Sequence, residues 1–289
     1  MKEHPIIFSA TMVRAIIDSR KPQTRRVVMP RNSLVNDFRR PNRLIGFDFD
    51  PARFEPKLTP GGNSYLRASP ANDDPIQRIY PAWRRGDLLW VREKWRIGRW
   101  WEEDGEFALD YCDGPDRTRH GIPDDWDGEK FQKLWKECCG ELDSKGVEVG
   151  EDRCYHWNPG ESPLRWRSPV TMPRWASRIT LEVTGMRVER VQDISEQDAI
   201  SEGMLMSMFR GDWAKQHFPE YYAVLEATPD GQKPPLGPSP AARFSKYWDD
   251  LNAKRGHGWA TNPWVWVIEF ERVEADQFAG AGKVIGETA

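Results

Sequence analysis

The chain has 289 residues and a formal net charge of -3 at pH 7. This length exceeds one typical domain, yet a single domain with large insertions fits it equally well. The near-neutral charge excludes a global positive field of the kind that attracts nucleic acid nonspecifically, although arginines cluster locally in residues 14–43, 84–99 and 165–190. The 15 tryptophans are unusually numerous, and such rings serve both cores and base-stacking surfaces.

Hydropathy and cysteine usage indicate the compartment. No apolar run approaches the length of a membrane span, and no charged-then-apolar leader opens the sequence. We therefore expect no contact with a membrane and a cytoplasmic location. In that setting the four cysteines are expected as thiols or metal ligands rather than as disulfides.

The first predicted elements are a short buried strand over Ile6-Ile7-Phe8 and a helix over residues 10–18. The apolar face of this helix holds Met12, Val13, Ile16 and Ile17. Residues 30–81 are rich in Pro, Asn, Arg and Gly and show weak periodicity. They predict a long excursion or partly ordered loop, the first of three insertions.

Regularity returns at Gly86-Asp87, a turn predicted to open a strand that ends near Glu93. Residues 101–165 are acidic, contain all four cysteines and form the second predicted insertion, with a helix over residues 134–139. Residues 177–191 then alternate apolar and polar side chains. They predict a long curved strand in which a glycine allows a bulge.

The last third of the chain predicts two helices and a strand. Ser195-Glu196-Gln197-Asp198 matches a capping box that opens the first helix. Residues 205–240 form the third predicted insertion. The second helix has one apolar side, made of Phe244, Tyr247, Trp248 and Leu251. A final strand runs from Trp264 to Phe270, and the polar tail beyond it is expected to fray.

The segment Ser19-Arg20-Lys21-Pro22-Gln23-Thr24-Arg25-Arg26 spaces a lysine, a hydroxyl and an arginine in a way that suits chemistry. One interpretation is a solvated basic helix end, because Lys and Arg complement the carbonyl end of a helix dipole. The alternative is an active site. A lysine acts as a base near neutral pH if burial and neighbouring positive charge lower its pKa, and Arg20, Arg25 and Arg26 supply such charge. A hydroxyl beside that lysine, such as the one on Thr24, becomes an activated nucleophile.

This spacing resembles the G-x-K-x-x-T-x-R signature of the ASCH domain family, small relatives of the PUA RNA-binding fold, with Ser19 where the family usually has glycine. The order of signature, Gly-Asp strand, curved strand, capped helix and final strand also resembles an ASCH domain, over about half of the chain. The layout is similar to that of phage-encoded and prophage-encoded ASCH proteins. The resemblance implies an α+β fold, a PUA-like (ASCH) β-barrel with flanking helices. It would span residues 1–275 as a single domain with insertions at about 30–81, 101–165 and 205–240, followed by a flexible tail over residues 276–289.

Within that family, the bacterial acetylcytidine amidohydrolases carry a lysine and a threonine in the signature and a glutamate in the helix after the curved strand. The resemblance assigns these catalytic roles to Lys21, Thr24 and Glu202. Neutral Lys21 would take the proton of Thr24, whose oxygen would attack an acyl group on the exocyclic amine of a cytidine-type nucleoside. Glu202 would protonate the departing amine, and Arg26 would hold the carbonyl oxygen or a base or phosphate edge. The alternative for Glu202 is an ordinary surface glutamate near a helix end.

Glu93 and Trp90 are further candidates for substrate binding, and Glu93 also competes for the acid role. Arg92-Glu93-Lys94 is alternatively a surface ion-pair run of little energetic weight. The mechanism needs no cofactor. A structural zinc is the lesser hypothesis, because S and N ligands are present but no C-x-x-C pair is. Its candidate ligands are Cys112, Cys138, Cys154 and His156.

Three classes of function remain open. The first is the amidohydrolase, whose partner is a nucleoside or nucleotide. The second is a PUA-like module that binds RNA, single-stranded nucleic acid or modified bases in a stacking groove. That groove would be made of Trp90, Trp95, Trp100, Trp101 and Arg26. The third is a phage accessory protein that contacts other proteins through its insertions, and fold alone does not choose among the three.

Overall fold

The computed structural model describes residues 1–29, 33–36, 54–59, 64–68, 78–101, 106–114, 117–121, 128–151, 154–204, 212–229, 232, 236–273 and 284–285. Within these ranges the fold is a mixture of α-helices and β-sheets, which confirms the predicted α+β class. The described strands form three sheets, none of which closes into a barrel. The PUA-like barrel therefore stays a prediction.

The elements follow one another in an order that mixes strands and helices throughout the chain. The strands are β1 (Glu3–Ile7), β2 (Gln23–Val27), β3 (Ser33–Asn36), β4 (Phe54–Leu58), β5 (Ser64–Ala68), β6 (Arg78–Pro81), β7 (Leu88–Arg92), β8 (Trp95–Trp101), β9 (Glu106–Tyr111), β10 (Arg117–Gly121), β11 (Thr180–Arg190), β12 (Trp264–Val273) and β13 (Val284–Ile285). The α-helices are α1 (Ala10–Ile17), α2 (Gly128–Ser144), α3 (Glu196–Ser201), α4 (Asp212–His217), α5 (Pro219–Ala227) and α6 (Pro240–Asn252). Short 3-10 turns lie at Pro169–Thr171, Arg174–Ala176, Val191–Asp193, Ala253–Arg255 and Trp259–Thr261.

The hydrogen-bonded strand orders are β1-β7-β11-β12-β2, β13-β10-β9-β8 and β3-β6-β5-β4. The chain divides into two compact units. The first comprises Met1–Arg14, Leu88–Glu182 and Arg272–Ala289, and the second comprises Ala15–Asp87 and Val183–Glu271. The single domain with three insertions stays a prediction. No helix among the described residues is both long enough and apolar enough to cross a membrane.

In the first unit, β1 runs parallel to β7, and β7 pairs antiparallel with the start of β11. The pair β8 and β9 packs against α2 in an apolar cluster that includes Phe107, Phe131 and Leu142. Helix α2 extends well beyond the predicted residues 134–139 at both ends. In the predicted tail, β13 pairs antiparallel with β10, and the other residues beyond 273 lie outside the described ranges.

In the second unit, β2 pairs antiparallel with β12, whose residues Trp264 to Ile268 are all buried. Strands β3 to β6 form a four-stranded sheet within residues 30–81, where a loop was expected. In β5, Leu66 is buried while its two neighbours are half-buried. This alternation is typical of a strand with one face on a core, but it is too short to stand out in a Pro-rich sequence.

Two side-chain caps fix the helices that matter for the site. The hydroxyl of Ser195 accepts a hydrogen bond from the Asp198 backbone N–H at 3.0 Å, so α3 begins where the predicted capping box lies. The hydroxyl of Ser239 caps α6 by accepting a hydrogen bond from the Ala242 N–H at 3.2 Å. The predicted apolar side of α6 is buried at Phe244 and Trp248 and half-buried at Tyr247, whereas Leu251 is exposed.

Candidate functional site

The site begins at the turn that ends α1. Ser19 adopts a left-handed conformation with a φ of 56°. Its N–H donates to the Ile16 carbonyl at 3.0 Å, and the N–H of Arg20 donates to the Ala15 carbonyl at 2.8 Å. This is a Schellman motif, in which glycine is the usual left-handed residue. Ser19 adopts that conformation, so the turn of the signature forms without glycine. The turn places Lys21 two residues before the start of β2.

The Lys21 ammonium lies against Glu202, which caps the C-terminal end of α3. Its Nζ donates to the Glu202 carboxylate oxygen Oε2 at 2.7 Å and to the Glu202 backbone carbonyl at 2.8 Å. Lys21 is 4% exposed and Glu202 is 3% exposed. The two candidate catalytic residues furthest apart in sequence are therefore in direct, buried contact, and Glu202 is not a surface glutamate.

Arg25 holds the other oxygen of the same carboxylate. Its Nη1 donates to Glu202 Oε1 at 2.9 Å, while Nε and Nη2 donate to Glu189 Oε1 at 2.9 Å and 2.5 Å. A third carboxylate, that of Asp198, lies 3.3 Å from Nη2. One buried guanidinium thus joins three acidic side chains that come from β11, α3 and the end of α3.

Arg187 extends this network along β11. Its guanidinium donates to Asp198 at 2.9 Å and to Glu189 at 3.2 Å, and it also pairs with Glu269 of β12. A side chain at Gly185 would collide with the Glu269 carboxylate. Gly185, where a bulge was predicted, leaves room for the outermost acid of the network.

Burial and charge act together on the ionisation of this site. Burial lowers the pKa of Lys21, the adjacent Glu202 carboxylate opposes that effect, and the positive charges of Arg26 and Arg25 lower the pKa further. Partial burial by itself raises the pKa of Asp198, yet hydrogen bonds from Gln23 and the charges of Arg187 and Arg25 keep it below its ordinary value. A lysine with a lowered pKa is what proton abstraction near neutral pH requires.

Thr24 and Arg26 alternate with Gln23 and Arg25 along β2. Thr24 lies opposite Ile268 in the register with β12, and Arg26 lies opposite Trp266. Alternate residues of a strand share a face, so Thr24 and Arg26 lie on one face of β2 while Gln23 and Arg25 lie on the other. Thr24 is 3% exposed. Burial lowers the pKa of Arg26, and its interactions with Glu202 and Tyr247 oppose that effect.

Glu93 and Trp90 belong to the first unit. Glu93 is 1% exposed, and both of its carboxylate oxygens accept hydrogen bonds from Arg178, at 3.0 Å and 2.9 Å. Arg178 also pairs with the Asp113 carboxylate at 2.5 Å. The prediction of a surface ion-pair run is wrong for Glu93, because Glu93 is buried and pairs with Arg178, from a segment distant in sequence.

Two of the candidate stacking rings, Trp90 and Trp95, are largely enclosed. Trp90 is 8% exposed, with the Arg92 guanidinium 4.5 Å from its ring centroid, and Trp95 is 4% exposed. Rings this enclosed offer little surface for stacking bases. Trp100 is half-buried, and the side chain of Trp101 lies outside the described residues.

The candidate zinc ligands do not gather. Cys112, Cys154 and His156 are exposed, whereas Cys138 is buried. Within the described ranges, no three His, Cys, Asp or Glu side chains are grouped so that they could hold a metal ion. The structural zinc remains a prediction without a ligand set in this part of the chain.

Sequence reasoning missed part of the network. Arg25 was expected only to supply neighbouring charge, and Glu189, Arg187 and Asp198 were given no role in the site. Arg187 and Glu189 are two residues apart in β11, and this alternation is the one local sign that they share a face. No protein-family model, curated protein or solved structure matches the chain.

Proposed function

We propose that the chain is an ASCH-type amidohydrolase that removes an acyl group from the exocyclic amine of a cytidine-type nucleoside. The observation that carries the proposal is the 2.7 Å contact between Lys21 Nζ and Glu202 Oε2, made across 181 residues of sequence in a buried setting. A base with a lowered pKa beside a carboxyl group supplies both proton transfers that amide cleavage needs.

The reaction proceeds in two steps. Lys21 in its deprotonated, neutral form takes the hydroxyl proton of Thr24, and the Thr24 oxygen attacks the acyl carbonyl carbon. The proton passes from Lys21 to Glu202 across their hydrogen bond, and Glu202 delivers it to the exocyclic nitrogen as the C–N bond breaks. Water then hydrolyses the Thr24 ester, which releases the carboxylic acid and restores the hydroxyl.

Arg26 supplies the positive charge that the proposed reaction needs beside Thr24. The guanidinium of Arg26 follows Thr24 on the same face of β2 and would stabilise the oxyanion that develops at the acyl carbonyl. The choice of a cytidine-type amine rests on the signature from Ser19 to Arg26, which the acetylcytidine amidohydrolases share with one departure. A PUA-like barrel would be the corresponding fold.

The test incubates the purified protein with a panel of N-acylated cytidines and modified nucleosides and reads the products by liquid chromatography and mass spectrometry. We expect cytidine and the free acid from the parent, and no turnover from Lys21→Met or Glu202→Gln. Lys215→Met is the matched control, since Lys215 contacts Glu226 at the same 2.7 Å on the surface of the second unit. Turnover that survives in Lys21→Met, or no turnover of any panel member by the parent, contradicts the proposal.

A second candidate function is binding of RNA or a modified nucleobase without catalysis. It is favoured by three half-buried rings of the first unit, Trp100, Tyr155 and Trp157, which pack against its apolar cluster and keep part of their surface exposed. Their centroids lie 6.2 to 6.3 Å from one another, and such rings stack bases of any sequence. Fluorescence titration with single-stranded RNA at several salt concentrations tests it. Affinity that falls steeply with salt supports binding, and unchanged affinity in Trp100→Ala contradicts a role for these rings.

A further inference from the structure

The Glu202 carboxylate is held between two cations, one on each oxygen. Oε2 accepts from Lys21 Nζ at 2.7 Å, and Oε1 accepts from Arg25 Nη1 at 2.9 Å. Both contacts are buried, since the Lys21 side chain is 3% exposed and that of Arg25 is fully enclosed. A carboxyl group between two such donors has a fixed orientation, because rotating it would break both hydrogen bonds.

Arg25 is in turn locked from its other side. Glu189 accepts from two of its nitrogens, and the Asp198 carboxylate lies 3.3 Å from Nη2. The Phe244 ring centroid is 5.8 Å from the Arg25 Cζ atom, which places an apolar surface beside the guanidinium. The planar fork of an arginine fits this arrangement, in which separate nitrogens face separate carboxylates, better than the point charge of a lysine does.

We propose that Arg25 is a positioning residue, which holds the Glu202 carboxylate against Lys21 and sets how a proton is distributed between these two groups. Its effect on chemistry rests on the function proposed above, whereas its effect on Lys21 does not. Arg25 occupies an unspecified position of the signature, which fixes the glycine, the lysine, the threonine and the last arginine.

The charges around Arg25 predict the direction in which each variant changes the pKa of Lys21. Removing the guanidinium removes a positive charge that disfavours a second one on Lys21, so Arg25→Met raises the pKa of Lys21. Glu189→Gln keeps the shape of the acceptor but removes the negative charge that offsets Arg25. The uncompensated guanidinium then disfavours the ammonium more strongly, and the pKa of Lys21 falls. A side chain that merely filled space would not produce opposite shifts in these two variants.

The experiment follows the Lys21 side chain by NMR in protein labelled with 13C and 15N lysine, with the resonance assigned from its loss in Lys21→Arg. We expect the titration midpoint to move to higher pH in Arg25→Met, to lower pH in Glu189→Gln, and to stay near the parent value in Arg25→Lys. Arg20→Met is the control, because Arg20 precedes Lys21 but pairs with Asp18 at the surface. Glu189→Gln is isosteric and keeps the test open if Arg25→Met fails to fold. A midpoint that stays put in Glu189→Gln, or that moves the same way in both variants, overturns the proposal.

Activity separates this proposal from the proposed function. If the parent hydrolyses an acylated cytidine, we expect kcat to fall about 100-fold in Arg25→Met with little change in KM, and Arg25→Lys to recover part of it. Opposite midpoint shifts in a protein without turnover would support the positioning role and contradict the amidohydrolase. Turnover with the parent kcat in Arg25→Met would support the amidohydrolase and contradict the positioning role.

Discussion

Neutralising the Glu202 carboxylate gives the sharpest prediction about stability. Glu202→Gln keeps the size of the side chain and removes the charge that faces two buried cations, Lys21 and Arg25, each no more than 4% exposed. Breaking a buried ion pair by removing one partner costs about 3–5 kcal/mol, because it leaves an uncompensated buried charge. For a unit of this size the loss corresponds to a fall of roughly 6–20 °C in Tm.

The structure supplies a matched control in the same unit. Lys215 Nζ and Glu226 Oε1 are also 2.7 Å apart, but their side chains are 53% and 62% exposed. Glu226→Gln therefore removes the same chemical group at the same distance in water, where ion pairs contribute little. Thermal and urea unfolding, followed by far-ultraviolet circular dichroism, compare the two variants with the parent. We expect a large loss for Glu202→Gln and no measurable change for Glu226→Gln.

The loss in Glu202→Gln should also depend on pH. Without the carboxylate that raises it, the pKa of Lys21 lies further below its unfolded value of 10.5. The unfolded state then binds more protons than the folded state over a wider pH window, so the variant gains stability relative to the parent as the pH rises towards that value. A loss below about 1 kcal/mol at pH 7, or an equal effect in Glu226→Gln, would refute the account of a buried, charge-balanced site.

Two further predictions concern the thiols and the turn before the site. Burial raises the pKa of Cys138 to about 12, so we expect this thiol to resist a disulfide reagent at pH 8 while exposed Cys154 reacts rapidly; equal rates in the folded protein would contradict the burial of α2. Ser19→Gly should raise stability by about 1 kcal/mol, because glycine adopts the left-handed conformation without steric cost, and an unchanged urea midpoint would show that the turn is not strained.

The elements of the scaffold were predictable because their signals are local. Alternating side chains predicted a strand over residues 177–191, where β11 lies, and a serine cap predicted the start of α3. The sheet within residues 30–81 was missed, since its strands are four or five residues long and interrupted by segments rich in proline and glycine. Such short strands form through pairing with one another, which no single segment reveals.

The residues of the site, like the elements of the scaffold, were predictable only where their sequence signal is local. The spacing from Lys21 to Arg26 is a local signal, and only its resemblance to a family linked it to Glu202. The partners of Arg25 could not be predicted from the sequence, because any of the 45 acidic residues could pair with any of the 42 basic residues. Glu93 shows the same limit, since Arg178, which pairs with its carboxylate, lies 85 positions away.

The most direct test of the proposed chemistry is capture of the acyl group on the enzyme. Parent protein and Glu202→Gln are mixed with N-acetylcytidine, quenched at short times, digested and mapped by mass spectrometry. The account predicts an acetyl ester on Thr24 in the parent and none in Glu202→Gln, which cannot protonate the departing amine. Thr24→Val, treated in the same way, should neither acylate nor turn over. Hydrolysis that continues in Thr24→Val, or an acetyl group carried by another side chain, would contradict Thr24 as the nucleophile.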